Sequence, residues 1–209
     1  MHTQVLTRTL PSNFETRSGE ATATGLRIEG YGATFNSPTH IRGWEGDFEE
    51  SIAPGAFRKT LRANRNNPPI MQWNHGRDSR VGQVPIGAYD VIEEDSHGLR
   101  VEGDLFDNPV VEPIRQAIAG GAVRGMSFKF TVVKDAWRDN SGKLLKPAEV
   151  SDLLWSPGQR GPLQRTLLEV ELHELGPVST PAYKSTSIKL RDTLDPTMDL
   201  RKLILNGLI

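Results

Sequence analysis

Apolar residues in this chain come in short alternating runs and never in a long one. Leu26-Arg27-Ile28-Glu29 and Leu167-Leu168-Glu169-Val170-Glu171-Leu172 are examples, each ending near glycine, proline, asparagine or aspartate. A period of two puts one side of an extended strand against a core and the other against polar surroundings. The chain has 209 residues, enough to bury one such core. No apolar stretch approaches the ~20 residues that span a bilayer, and Met1 to Arg8 has no apolar leader core. A soluble protein made in the cytosol is the expectation, with no membrane partner.

The order of the runs gives an outline. Residues 1–22 are polar and weakly patterned and read as an N-terminal arm. The run Leu26 to Phe35 is a strand whose glycines, Gly30 and Gly32, predict a bulge or a tight corner. Ala53 to Leu61 predicts a short helix with proline in its first turn, Phe57 and Leu61 sharing a face. Strands are expected at 69–75, 81–92 and 98–106. Asn108 caps a helix that starts at Pro109, carries Val110, Ile114, Ala117 and Ile118, and stops at Gly120-Gly121. Residues 135–165 read as a long excursion. The tail, 193–209, carries a helix with Leu200, Leu203 and Ile204. Many short strands with two or three helices predict a mainly β, α+β domain over 23–192, built as an antiparallel barrel or strongly curved sheet flanked by helices. The apolar stripe of the tail, or of the helix at 109–119, predicts self-association, a homodimer in the simplest case.

Composition excludes several functions. There is no cysteine, so disulfides, thiolate metal sites and a cysteine nucleophile are out. Net charge is -1 and aromatics are 7%, which disfavours an oligonucleotide-binding barrel and predicts no nucleic-acid partner. No two of the five histidines have i, i+2 or i, i+4 spacing, so neither metal nor cofactor is expected.

Three polar intrusions into apolar strands remain. Ser127 stands in Arg124-Gly125-Met126-Ser127-Phe128-Lys129-Phe130. Alternation puts it on a face with Gly125, Lys129 and Thr131, away from Met126, Phe128 and Phe130. It should therefore point to a surface or a helix-covered groove. His75 ends Pro69-Ile70-Met71-Gln72-Trp73-Asn74-His75, where Gly76 breaks the strand. Glu174 is in phase with Val170 and Leu172 and should turn toward an apolar face, where a carboxylate needs a cationic or hydrogen-bonding partner. A serine, a histidine and a carboxylate are the parts of a nucleophile, a base and an orienting group. The competing readings are ordinary: a hydroxyl bonded to a neighbouring carbonyl, a strand-end histidine, and a glutamate satisfied by arginine. His173, on the face of Glu169 and Glu171, is the rival third member.

Five segments in order resemble the tailed-phage prohead maturation proteases: Gly30-Tyr31-Gly32-Ala33-Thr34-Phe35-Asn36, Ile52-Ala53-Pro54-Gly55-Ala56-Phe57, Trp73-Asn74-His75, Gly125-Met126-Ser127-Phe128 and Glu174 through Ala182. The resemblance covers roughly residues 25–190. It implies the barrel of the herpesvirus assemblins, with Ser127 as nucleophile, His75 as general base and Glu174 as third member. Assemblins use a second histidine in the third role, which keeps His173 open. Lys129 departs from the small residue expected there. The turn Gly176 to Pro181 could offer oxyanion donors, although Pro177 and Pro181 supply none. The implied job is a serine endopeptidase inside the assembling prohead in the host cytoplasm. It would cut the scaffolding portion of the capsid precursor, and itself, with activity held low until assembly. The alternative from another class is a non-catalytic barrel that serves capsid assembly.

Overall fold

A computed structural model describes residues 5–10, 14–17, 27–179 and 189–191. Its strands are β1 (Val5–Leu10), β2 (Phe14–Arg17), β3 (Arg27–Thr34), β4 (Thr39–Gly43), β5 (Gly46–Ile52), β6 (Ile70–Met71), β7 (Gly87–Glu94), β8 (Gly98–Leu105), β9 (Gly125–Arg138), β10 (Leu163–Val178) and β11 (Lys189–Arg191). The helices are α1 (Arg58–Ala63), α2 (Glu112–Ala119) and α3 (Pro147–Leu153). The mainly β, α+β class holds. The main ladder runs β1-β9-β10-β6-β7-β8-β3-β2-β11, with β5 paired to β10 and β4 to β5. Its two ends do not meet, so the expected barrel is not shown among the described residues. Most pairings are antiparallel, but β10 lies parallel to β5 and β6, and β11 lies parallel to β2.

Two long strands form the spine. β9 and β10 pair antiparallel from Gly125↔Val178 to Arg138↔Gln164. One side of this pair is apolar: Met126, Phe128, Phe130, Leu172 and Leu175 are buried in the main core with Phe57, Ile114 and Ile118. Each such buried side chain contributes roughly 1.5–3 kcal/mol of transfer free energy. The stripe on α2 therefore packs into its own domain and is not left for a partner, apart from Val110, which is exposed. The predicted tail helix lies outside the described residues.

Local expectations held where the signal was local. The register of β3 against β8 shifts between Tyr31 and Ala33, at the glycine pair. Asn108 Oδ1 accepts from the amides of Val110 and Val111 at 3.0 and 3.1 Å, although the helix proper starts at Glu112. Other expectations need correction. The helix expected over 53–61 starts only at Arg58, so Pro54 lies in the turns before it, and the strand expected over 81–92 starts only at Gly87. The strand at 69–75 shrinks to Ile70–Met71, because Trp73–Gly76 curls into a 3₁₀ turn. The excursion at 135–165 is not a loose loop. β9 continues to Arg138, β10 starts at Leu163, and α3 packs between them on a second small core of Ile41, Phe48, Leu145 and Leu163. Arg160 closes this part by pairing with buried Asp139 at 2.9 Å. Residues 5–10 and 14–17 of the expected arm are strands in the sheet.

One contact sets the distance between the spine and the 3₁₀ turn. Gly176 in β10 lies so close to Gln72 that a Cβ there would stand 2.0 Å from the Gln72 carbonyl oxygen. The obstacle is backbone and cannot rotate away. Gly176→Ala should therefore cost at or above the ~3 kcal/mol upper end of overpacking. Thermal denaturation should show a midpoint lowered by about 6–12 °C.

Candidate active site

Ser127 stands on β9, Glu174 on β10, and His75 in the turn that follows β6. Since β9, β10 and β6 are consecutive neighbours in the ladder, the three residues converge although 52 and 99 positions separate His75 from the other two. His75 Nδ1 is 2.6 Å from Glu174 Oε2. His75 Nε2 is 2.6 Å from Ser127 Oγ. A carboxylate only accepts, so Nδ1 carries the proton, and neutral Nε2 is left to accept from the Ser127 hydroxyl.

The turn that aims the imidazole is left-handed. Asn74, His75 and Gly76 have φ of 48°, 60° and 70°. Two non-glycine residues in that region cost roughly 1–2 kcal/mol each. Specific bonds offset this. Asn74 Oδ1 accepts from the Ser179 amide at 2.9 Å, and the Asn74 carbonyl accepts from the Arg77 amide at 3.1 Å. Lys129 Nζ donates to the His75 carbonyl at 2.9 Å. The same ammonium lies 3.4 Å from Glu174 Oε2. Lys129, the departure noted in the sequence, thus ties the turn and the carboxylate together.

A bulge puts Glu174 on this side. In β10 the register shifts between Leu172 and Glu174: Leu172 pairs Phe130, and Glu174 pairs Lys129. His173 is the extra residue. Leu172 stays with the core, while Glu174 joins the face of Ser127 and Lys129. The sequence phase that grouped Glu174 with Val170 and Leu172 is corrected by that one residue. His173 does not reach His75 among its described contacts: its Nε2 is 2.8 Å from Thr131 Oγ1.

The site is closed. Ser127 has no exposure, and the side chains of His75 and Glu174 are 6% and 3% exposed. The expectation that Ser127 faces a surface or groove is corrected: β1 lies along β9 with Thr9 opposite Ser127. The Ser127 hydroxyl also donates to the Arg8 carbonyl oxygen at 2.9 Å. Its single proton therefore has two acceptors. Among the described residues Glu174 Oε1 has no donor, so the carboxylate is held through Oε2. Next to it Tyr89 donates to the Leu175 carbonyl at 3.0 Å. Burial, with the Glu174 charge adding, pushes its phenol well above the usual value, so it remains a donor. Of the expected oxyanion turn, Gly176 and Pro177 belong to β10, while Thr180 and Pro181 lie outside the described residues. Among the described residues no cluster of metal-ligating side chains occurs, and no helix is long and apolar enough to cross a membrane.

Sequence reasoning missed Arg8 altogether. Nothing in Val5-Leu6-Thr7-Arg8 marks it, because its partners Glu45 and Glu50 are remote in the chain.

Comparisons with known proteins bear on the family and the fold. The profile of the caudovirus prohead serine proteases matches residues 12–199. The prohead protease of Enterobacteria phage HK97 is 35% identical over 109 residues, 52% of this chain and 43% of that protein. The chain thus matches under half the length of that curated relative. The solved structure of the bacteriophage T4 capsid assembly protease superposes with a TM-score of 0.55 at 12% identity, over 84% of this chain and 97% of that one. At that identity the likeness speaks for the fold alone.

The hydrogen-bond pattern predicts the Nδ1–H tautomer of His75 at neutral pH. Nitrogen-15 shifts of the ring should show it, and Glu174→Gln should weaken the preference. An Nε2–H tautomer in the wild type would contradict the assignment.

Proposed function

The chain belongs to the caudovirus prohead serine protease family, and from that premise we propose that it is a serine endopeptidase of prohead maturation. Its substrates are the scaffolding portion of the capsid precursor and the protease itself, cut inside the assembling shell. The observation that carries this reading is the unbroken chain Ser127 Oγ, His75 Nε2, His75 Nδ1, Glu174 Oε2, with both links at 2.6 Å.

Each group has a role that its surroundings support. His75 takes the Ser127 proton as Oγ attacks the scissile carbonyl, and Glu174 stabilises the imidazolium that forms. The leaving amine takes the proton from Nε2. Water then attacks the acyl-enzyme, with His75 again as base. Lys129 is a positioning residue: it acts through the His75 carbonyl and Glu174. Its charge also offsets the cost of a buried carboxylate. The Thr131 contact of His173 supports Glu174, not His173, as the third member.

The test is cleavage of the capsid precursor by purified variants. Ser127→Ala should abolish cutting and leave the fold intact. Glu174→Gln should lower kcat by about 10⁴-fold, as loss of an orienting carboxylate does in other serine proteases. His173→Gln should stay close to wild type. Lys129→Met should cost about 100-fold, the scale of a misplaced catalytic group. A crippled His173→Gln beside an active Glu174→Gln would reverse the assignment.

A further inference from the structure

Arg8 is 6% exposed, and its guanidinium is fully engaged. Nε bonds Glu50 Oε1 at 2.5 Å, Nη2 bonds Glu50 Oε2 at 3.1 Å, and Nη1 and Nη2 each bond Glu45 at 2.8 Å. Nη1 also donates to the Thr7 carbonyl, and the guanidinium lies 5.8 Å from the Phe130 ring centroid. Burial by itself would lower the Arg8 pKa, but the two glutamates outweigh it and hold the group above its usual value. Among the described residues the other charges in this network are Arg165 and Asp135, 2.8 Å apart, with Arg165 also 3.2 Å from Glu50 and 3.7 Å from Glu45. Three carboxylates thus face two arginines. Without Arg8, Glu45, Glu50 and Asp135 would share Arg165 alone, an acidic pocket that wants a cation.

The backbone of the same residue touches the nucleophile. The Arg8 carbonyl oxygen is 2.9 Å from Ser127 Oγ, and its carbon lies about 1.2 Å further along the bond. One residue thus offers its carbonyl to Ser127 and its side chain to a built acidic pocket. We propose that Glu45 and Glu50 form the specificity pocket for an arginine or lysine at the residue that supplies the scissile carbonyl, and that Arg8–Thr9 is the bond this chain cuts in itself. This rests on the serine endopeptidase reading.

The step balances. The hydroxyl proton turns from the Arg8 oxygen onto His75 Nε2, and Oγ bonds to the Arg8 carbon. The Arg8–Thr9 C–N bond breaks, and His75 returns the proton to the Thr9 nitrogen. Water then splits the Arg8 ester, leaving the Arg8 carboxylate and free Ser127. Loss of residues 1–8 removes Val5 to Arg8 of β1, and with them the carbonyl bonded to Ser127, and empties the pocket for the next basic residue.

The experiment is intact mass and N-terminal sequencing of the purified full chain, with a serine-directed phosphonate as a separate probe. The proposal expects a product beginning at Thr9 in the wild type and an intact chain in Ser127→Ala. Arg8→Lys should still be cut. Arg8→Leu should be cut at least about thirtyfold more slowly, the scale of losing one partner of a buried charge pair. Should Arg8→Leu misfold, wild-type protein given peptides with arginine or leucine before the scissile bond makes the same comparison in trans. A wild type that labels at Ser127 yet stays whole, or is cut only elsewhere, overturns the proposal and leaves the endopeptidase reading standing. No label and no cut, with the assembling capsid precursor supplied, overturns both. Equal cutting of arginine and leucine peptides overturns the pocket.

Discussion

The extra residue in β10 at His173 is the feature on which the site depends. β9 and β10 are paired almost from end to end, so their register is fixed by many backbone hydrogen bonds. Within such a ladder a side chain changes face only if a residue is inserted. The bulge does this between Leu172 and Glu174. Leu172 and Leu175 remain with Phe128 and Phe130 in the core, and Glu174 crosses to Ser127 and Lys129. Without it the carboxylate would face phenylalanines, where a charge has no partner.

The second constraint is a left-handed turn held under strain. Asn74 and His75 sit at positive φ just after Gln72, which Gly176 of β10 approaches so closely that no side chain fits between them. The turn is then tied from three sides, by Ser179, Arg77 and Lys129. Strain of this sort persists only where the surroundings over-determine it, and it is concentrated at functional positions. The enclosure adds to the effect. With solvent excluded, the two 2.6 Å hydrogen bonds act in a low dielectric, where each is stronger than in water.

The N-terminal strand joins these two constraints to the rest of the fold. β1 extends the sheet beyond β9, and the network of Arg8, Glu45, Glu50, Arg165 and Asp135 fastens it to β5, β9 and β10. Buried charges of this number are tolerable only because each has a partner. Ser127, which has no exposure, is covered by a strand that the same network holds in place.

Alternation, turn residues and caps were legible in the residues themselves, because each is a property of a few neighbours. They gave the mainly β class, the bulge near Gly32, the cap at Asn108, the three candidate residues and the shared face of Ser127, Lys129 and Thr131. The tertiary structure decided what depends on remote partners. It folded the 135–165 segment around a second small core, and it left the ladder unclosed among the described strands. It also buried Ser127 beneath an arm with little pattern of its own, and it turned Glu174 to the opposite face from Leu172. The physical reason is common to all four. Register, bulges and left-handed turns are chosen by backbone pairing and close packing between segments tens of residues apart, and no short window of sequence contains both sides of such a contact.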